Sequence, residues 1–432
     1  MSSLPERVDV VVVGAGTAGA ATARFVAQAG LSVLCVERGA LAEAGARWIN
    51  GVALSAFDAA GLSRPTGDEA RGHGHAFHFV AGRGPARVVI DDHEVADVDM
   101  GLFVGRVQAA AREAGAVLEG GVEVHGVSGH VVDTSRGRVT TAWVVDASGH
   151  GGARLARVPP VDRRDLCVAA QQVRHVRDRG AAEAFFAAHG VPTGDTLCFT
   201  ALDGGYSILN VRLAHDRLFV LTGSIPAEGH AGGQAIADTF AAEQSWVGDI
   251  ERAGARAIPL RRPFDRLAHG PVALVGDAGC QVFSAHGSGI AAGLAAARLF
   301  AEALAADEGA AGYEHRWHTR YGGLYATYDL FRRFSQSLAP RDIAALIEAG
   351  VLEPIGALAA LEMRVPLVPP HVAARQAAGL LRVPRLGARV AAMLARAASA
   401  HAVYAAHPTD PARLRLWSHA VARATATPVD PG

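Results

Sequence analysis

A glycine-rich turn between an apolar run and a helical pattern constrains this chain more than any other feature. Residues 8–38 read VDVVVVGAGTAGAATARFVAQAGLSVLCVER, which contains the spacing G-x-G-x-x-G and a second apolar run that ends in an acid. Gly14 permits a tight turn, Gly16 lets the backbone approach a pyrophosphate, and Gly19 lets the helix pack on the strand. The pattern predicts a Rossmann-like β-α-β unit with a dinucleotide at the helix N-terminus.

The acid at the end of the second apolar run selects among dinucleotides. Glu37 stands where a carboxylate accepts hydrogen bonds from ribose hydroxyls. A 2′-phosphate at the same place would be repelled by this carboxylate. The sequence therefore favours FAD or NAD over NADP at this site.

Two later segments favour FAD. Residues 138–149, RVTTAWVVDASG, form a strand pattern that ends in a turn, and residues 272–290 read VALVGDAGCQVFSAHGSGI before an alanine-rich helix. Asp277 closes a strand, where it can accept hydrogen bonds from a ribityl chain. The helix start at 288–290 offers backbone N–H groups to an electron-rich ring edge. A single FAD that spans both glycine-rich stretches is the economical explanation.

These motifs resemble the FAD-dependent superfamily of p-hydroxybenzoate hydroxylase, geranylgeranyl reductases and flavin-dependent halogenases. The resemblance covers residues 8–325, and only the three motif regions are specific. It implies an FAD domain interrupted by a mostly β substrate domain, with the flavin ring at their interface. It also makes Arg47 a contact to the FAD phosphates and Arg106, on the helix after Met100, a further FAD contact. The expected FAD contacts are Gly14, Gly16, Gly19, Glu37, Arg38, Arg47, Arg106, Asp277, Ser288, Gly289 and Ile290.

The chain departs from the superfamily at residues that carry chemistry. All 41 basic residues are arginine, and the W-x-W-x-I-P segment of the halogenases is absent. Without an amine, the lysine mechanism of those halogenases is not available. Cys280 stands where the hydroxylase version of the late motif has histidine. The late motif thus resembles the halogenase and reductase version more than the hydroxylase version, while the missing lysine argues against halogenation.

Two residues are candidates for catalysis. His286 precedes the late glycines, where the superfamily places residues near the flavin ring, and a neutral imidazole there could act as a base or orient a substrate. Tyr206 could donate a hydrogen bond to the substrate. The alternatives are a histidine satisfied by backbone and an ordinary core tyrosine. The histidines of HGHAFHF at 73–78 have no carboxylate at a regular interval, so we predict a strand there and no metal site.

The pattern of elements predicts the fold class and its pieces. We expect an α/β protein with a discontinuous FAD-binding domain, a mostly antiparallel substrate domain and a C-terminal helical region. The expected pieces are 5–50, 97–157 and 265–325 for the FAD domain, 51–96 and 158–264 for the substrate domain, and 326–432 for the helical region. We expect the tail TATPVDPG to be disordered.

Net charge and hydropathy limit the kinds of partner that the chain can have. The net charge is −1 and no run of 18 apolar residues occurs, so we expect a cytoplasmic protein with no nucleic-acid partner. Arginines recur at near-helical spacing after residue 370. A membrane-surface helix would explain them, but a packed helical cap with a solvated basic face is the preferred interpretation.

The leading functional hypothesis is an FAD-dependent monooxygenase or hydroxylase of a hydrophobic or aromatic small molecule of secondary metabolism. No second G-x-G-x-x-G is present. NADH or NADPH would then be a transient electron donor, or a flavin reductase would be a partner. Two alternatives stay open: a reductase or dehydrogenase similar to geranylgeranyl reductase, and a non-redox cyclase in which FAD is structural.

Overall fold

The N-terminal β-α-β unit forms as its sequence pattern predicts. The computed structural model describes residues 3–430. A strand at Arg7–Val13 leads into the glycine turn, and a helix at Thr17–Gln28 follows it. The next strand, Val33–Glu37, returns parallel to the first, with Val10 opposite Val33. The valines of both strands are buried, which supplies the apolar area that holds the helix against them.

Strands and helices occupy most of the described residues. The strands are β1 (Arg7–Val13), β2 (Val33–Glu37), β3 (Ile49–Ala53), β4 (Ala70–His73), β5 (Phe77–Ala81), β6 (Arg87–Ile90), β7 (Val95–Asp99), β8 (Val117–Gly120), β9 (Val124–Ser128), β10 (Val131–Thr134), β11 (Gly137–Asp146), β12 (Leu166–Val176), β13 (Thr196–Thr200), β14 (Ser207–Ala214), β15 (Arg217–Ser224), β16 (Val247–Pro259), β17 (Ala268–His269) and β18 (Val272–Leu274). The α-helices are α1 (Thr17–Gln28), α2 (Leu54–Ala59), α3 (Met100–Glu113), α4 (Arg179–Ala188), α5 (Gly233–Glu243), α6 (Ile290–Ala305), α7 (Gly309–Trp317), α8 (Gly323–Gln336), α9 (Pro340–Glu348), α10 (Pro354–Leu361), α11 (Pro370–Arg382), α12 (Pro384–Ala405) and α13 (Pro411–Thr425).

An eight-stranded sheet carries the glycine turn. Its main path runs β17-β18-β11-β1-β2-β8, and all neighbours from β18 to β8 are parallel. β9 and β10 extend it as antiparallel strands from β11. The carboxyl ends of β1, β11 and β18 therefore meet at one edge, which brings the three sequence motifs together.

A seven-stranded sheet lies beside it. Its order is β16-β12-β15-β14-β13-β5-β6, and every pair is antiparallel except β13 with β5. A small antiparallel sheet, β3-β7-β4, adds three strands. The predicted α/β class, with a Rossmann-like domain, an antiparallel insertion and a helical C-terminal region, is confirmed.

The predicted domain pieces map onto the sheets in a simple way. The pieces 5–50, 97–157 and 265–325 supply all the strands of the eight-stranded sheet. The boundary drawn at 96/97 falls inside β7, because that strand runs through the small sheet into α3. The division of the chain into domains stays a prediction.

The C-terminal helices pack on the rest of the chain. Tyr404 of α12 and Trp417 of α13 are buried with residues of α8. Within residues 3–430, no helix combines the length and apolarity needed to cross a membrane. The expected disorder of the tail is wrong for its described part, because both oxygens of Asp430 lie 2.7 Å from the Arg261 guanidinium. Pro431 and Gly432 lie outside the described residues.

Candidate functional site

The glycine turn after β1 is shaped by contacts that only glycine allows. Gly14 has φ +99°, and a Cβ there would lie 2.5 Å from the carbonyl oxygen of Ala147. This places the D-A-S-G turn after β11 directly against the first motif. Gly16 caps α1, and no side chain caps the N-terminal N–H groups of that helix. A turn with free N–H groups beside a cavity fits a bound diphosphate.

Glu37 and Arg38 line the cavity at the end of β2. One oxygen of Glu37 accepts a hydrogen bond from the Ala15 N–H at 3.0 Å, and the other accepts from the Gly39 N–H at 3.3 Å. The carboxylate is thus held beside the glycine turn. Its position agrees with the predicted ribose contact, which needs a fixed acceptor at this strand end.

Gln108 supports the same turn and was not predicted from the sequence. Its side-chain amide is buried and donates to the carbonyl oxygens of Ala15 and Leu41, both at 2.9 Å. Gln108 lies on α3 next to Val107, among the buried residues of that helix. A polar residue on an apolar helix face is the pattern that could have revealed it, because buried polar groups need partners.

The late motif faces the glycine turn across the cavity. Asp277, Ser288, Gly289 and Ile290 all line it, and a Cβ on Gly289 would lie 2.6 Å from an oxygen of Asp277. The Ser288 hydroxyl is buried and has no hydrogen-bond partner among the described residues. Burial raises the pKa of Asp277 to about 6, while the positive charge of Arg256 acts in the opposite direction. Polar groups left without partners fit the polyol and ring edge of a flavin.

One cavity of about 860 Å³ joins these motifs to the seven-stranded sheet. Its volume lies at the upper end of the range for small-molecule sites. Side chains of the sheet that line it include Phe77, Phe79, Cys167, Ala169, Cys198, Tyr206, Ile208, Asn210, Leu221, Arg256 and Ile258. The sheet side is mostly apolar, whereas the motif side carries glycines, carboxylates and free N–H groups.

The register of the sheet builds this apolar face. Gly223 of β15 lies opposite Ile208 of β14 and Ala169 of β12, so small side chains open the middle of the face. In the neighbouring row, Asn210 lies between Leu221 and Cys198. The Asn210 Oδ1 atom is buried and has no partner among the described residues. A substrate with one polar group is the kind of ligand that such a face accommodates.

Tyr206 lines the cavity from the loop before β14. It is buried against Cys167, Ile225 and Leu260, and burial raises its pKa well above the usual value. The phenol therefore stays protonated at neutral pH. Cys280 does not reach the cavity lining, and burial raises the pKa of its thiol to about 12, which keeps it unreactive.

His286 reaches the cavity from the loop before α6. Its Nδ1 atom accepts a hydrogen bond from the Ser288 N–H at 3.3 Å, and its ring centroid lies 5.0 Å from that of Phe283. Desolvation lowers the pKa of His286 to about 4, against the opposing effect of backbone hydrogen bonds at His286 and Ala360, so the neutral ring predominates at neutral pH. Because Nδ1 accepts, the proton of the neutral ring is assigned to Nε2.

Three predicted FAD contacts, Arg106, Arg47 and Gly19, do not line the cavity. Arg106 makes a two-point ion pair with Glu69, with both N–O distances 2.7 Å, and it also bonds Ser63. Its guanidinium is therefore held by the Glu69 carboxylate. Arg47 is exposed and is also absent from the cavity lining. Gly19, by contrast, supports the site from beneath, because it packs on the backbone of Gly14.

Comparison with known proteins agrees with this geometry. Residues 7–157 match the family model described as an FAD binding domain. The chain is 23% identical to a digeranylgeranylglycerophospholipid reductase of Sulfolobus acidocaldarius, over 96% of each chain.

Solved structures share the fold. A geranylgeranyl bacteriochlorophyll reductase-like protein from Thermoplasma acidophilum superposes with a TM-score of 0.68 at 16% identity, over 88% of this chain and 99% of the other. Halogenase PltM in complex with FAD gives a TM-score of 0.63 at 14% identity, over 97% and 96%. Residues 7–157 therefore form an FAD binding domain, and the rest of the chain has the fold that these reductase-like and halogenase structures share.

Proposed function

We propose that this protein is a flavin-dependent reductase of an unsaturated, hydrophobic small molecule. The observation that carries the proposal is the apolar face of the seven-stranded sheet, which lies across the cavity from the late motif. The relative from Sulfolobus, matched along nearly the whole chain, is named as a reductase of a lipid with isoprenoid chains. Bound FAD would supply the two-electron chemistry, and the protein supplies binding, orientation and a dry cavity.

Different residues of the cavity bind different parts of FAD in this proposal. The glycine turn and the N-terminus of α1 hold the diphosphate, since their N–H groups are free. Glu37 accepts hydrogen bonds from the ribose, and Asp277 accepts them from the ribityl chain. The N–H groups at the start of α6 face the electron-rich edge of the ring. These roles follow from chemistry and position, and each is a proposal.

His286 orients the substrate in this proposal. Its neutral ring presents an Nε2–H donor because Nδ1 is occupied by the Ser288 N–H. A ring with a pKa of about 4 is a weak base near neutral pH, which favours hydrogen bonding over proton abstraction. Tyr206 offers a second donor from the sheet side. Together they would hold a polar group of an otherwise apolar molecule.

A monooxygenase is the second candidate function. Phe77, Phe79 and Tyr206 give part of the cavity an aromatic lining, which favours a substrate with an aromatic ring. In this case NADH or NADPH would reduce the flavin transiently, or a separate flavin reductase would supply electrons. A non-redox cyclase with structural FAD is a third hypothesis.

Turnover with and without oxygen separates these functions. The bound flavin is reduced with limiting dithionite under anaerobic conditions and then mixed with geranylgeraniol or with a panel of phenols. Reoxidation by the polyprenol without oxygen, with one carbon–carbon double bond reduced per flavin oxidised, supports the reductase. Reoxidation only with oxygen, with a hydroxylated phenol, supports the monooxygenase and overturns the reductase. Product formation in a parallel sample whose flavin was never reduced would indicate the cyclase.

A further inference from the structure

The first turn of α1 packs against a second glycine from the segment before β3. A Cβ on Gly45 would lie 3.2 Å from the Gly16 Cα and 3.6 Å from the Thr17 nitrogen. Gly45 has φ +77°, and both glycines line the cavity. Gly45 is therefore part of the wall around the place where the diphosphate is expected, beside the free N–H groups of the helix.

Arg256 reaches this wall from the other sheet. It lies on β16, opposite Ala169 of β12, and its guanidinium donates to the Gly45 carbonyl oxygen at 2.8 Å. It lines the cavity, and no carboxylate among residues 3–430 lies within ion-pair distance of it. Arg256 and Asp277 line the same cavity, and the charge of Arg256 opposes the effect of burial on the pKa of Asp277. One cation thus stands between the two glycine-rich motifs with most of its N–H groups uncommitted.

The backbone around Arg256 is fixed to the same segment at further points. The side chain of Gln171 donates to the Ile49 carbonyl at 2.6 Å and accepts from the Ile49 N–H at 2.8 Å. A Cβ on Gly254 would contact the Trp48 ring at 3.5 Å. These contacts hold β12 and β16 against residues 45–50, so the guanidinium is positioned before any ligand binds, which lowers the entropic cost of binding.

We infer that Arg256, an arginine of the substrate-side sheet, is the cation that binds the FAD diphosphate. The inference rests on FAD binding at the glycine turn. An uncompensated guanidinium beside a helix N-terminus is a site for an anion, and a diphosphate supplies two negative charges there. Of the three arginines expected from the sequence to contact FAD, Arg106 is paired with Glu69 and Arg47 lies outside the cavity lining. Arg38 lines the cavity at the end of β2, next to Glu37, where the ribose is expected.

FAD affinity of the apoprotein tests this assignment. Flavin is removed, and FAD is titrated into wild type, Arg256→Gln, Arg256→Lys and Arg252→Gln at low and high ionic strength. Arg252 is a matched control, since it lies on the same face of β16 and its nearest carboxylate, Asp99, is 3.6 Å away. We expect Arg256→Gln to raise the Kd about 10- to 100-fold and to flatten its salt dependence. The Kd of Arg256→Lys should lie between those of wild type and Arg256→Gln, because lysine keeps the charge but lacks the two-point hydrogen bonding of the guanidinium.

Several outcomes would overturn the inference. Unchanged FAD affinity of Arg256→Gln would do so directly. An equal rise in Kd at every salt concentration would assign Arg256 a role in holding Gly45, without contact to phosphate. Equal losses in Arg252→Gln and Arg256→Gln would reduce the effect to general surface charge. If Arg256→Gln does not fold, Arg256→Lys with wild-type affinity and salt dependence would contradict the assignment. A wild-type protein that binds no FAD would instead refute the cofactor itself.

Discussion

A Cβ atom on Gly19 would lie 1.8 Å from the carbonyl oxygen of Gly14, so the first turn of α1 rests on the backbone of the glycine turn. No side chain can relieve this contact, because both partners are backbone. The approach sets the distance between helix and strand, and with it the position of the free N–H groups at the helix start. The third glycine of the motif is therefore a packing requirement of the FAD site.

Gly19→Ala should abolish the site by displacing α1. We expect a loss of at least about 3 kcal/mol in the free energy of unfolding, or no folded protein. Gly105→Ala is the matched control, because Gly105 lies inside α3 and a Cβ added there would have no neighbour within 4 Å. That substitution should stabilise by about 0.5–1 kcal/mol. Urea unfolding of both apoproteins measures the difference, and a fully stable Gly19→Ala protein would contradict the packing argument.

The sequence was most informative where function depends on local backbone. The turn at Gly14–Gly19 and the acid at Glu37 lie within one β-α-β unit, so spacing alone predicts their arrangement. Asp277 and the start of α6 could be predicted because they close a strand and open a helix. The contact of Arg256 and the partners of Gln108 could not be predicted, since each residue reaches the site from a distant segment through strand register or helix docking.

Arg106→Gln should reduce stability without changing FAD affinity. Arg106 pairs at two points with Glu69, whose side chain is only 9% exposed, so its loss leaves a poorly solvated carboxylate. We expect a loss of about 1–3 kcal/mol, a similar loss for Glu69→Gln, and a smaller-than-additive loss for the double variant. Thermal or urea unfolding measures the cycle. A weaker FAD complex in Arg106→Gln at unchanged stability would restore the contact that the family resemblance predicts.

Asp277→Asn should stabilise the apoprotein in a pH-dependent way. Burial raises the pKa of Asp277 to about 6, above its usual 3.8. Its contribution to folding is therefore fully present below pH 3.8 and is lost as the pH rises through 6. Relative to wild type, the variant should gain up to about 3 kcal/mol between pH 4 and pH 8, since each pKa unit corresponds to about 1.4 kcal/mol. Urea unfolding of the apoproteins across this range measures the gain.

The same substitution should weaken FAD binding, since an amide is a poorer acceptor than a carboxylate. We expect the Kd for FAD to rise about tenfold at pH 8 in Asp277→Asn.

The stability prediction for Asp277→Asn has its own contradicting outcome. If the stabilities of the two apoproteins run parallel from pH 4 to pH 8, the carboxyl group is not desolvated as its surroundings require.

His286 should act as a neutral group throughout the physiological range. With its pKa lowered to about 4, the ring carries no charge from pH 5.5 upwards. Once a substrate is found, we expect His286→Phe to lower the rate of electron transfer to it about tenfold with an unchanged pH profile, and His286→Gln to keep most of the rate. Stopped-flow measurement of flavin reoxidation gives these rates. An inflection near pH 6.5 that disappears in His286→Phe would mean that the ring titrates during turnover.

The C-terminal tail shows that composition alone does not predict whether a segment is ordered. The tail has the proline and small residues of a disordered segment, yet Asp430 is held by the half-buried Arg261. The partner of Asp430 lies 169 residues earlier in the chain, and no local pattern reports such a pairing. The same holds for Asn210, whose place in the cavity depends on the register of four strands.

The most direct test of the central claim is the flavin content of the purified protein. FAD is released by denaturation, identified by chromatography and compared with protein concentration, before and after incubation with excess FAD and removal of the unbound part. We expect FAD in an equimolar ratio to the chain, with a Kd that rises when either Gly16 or Asp277 is replaced. A protein without flavin that takes up no added FAD would contradict the claim that the two glycine-rich stretches hold one cofactor.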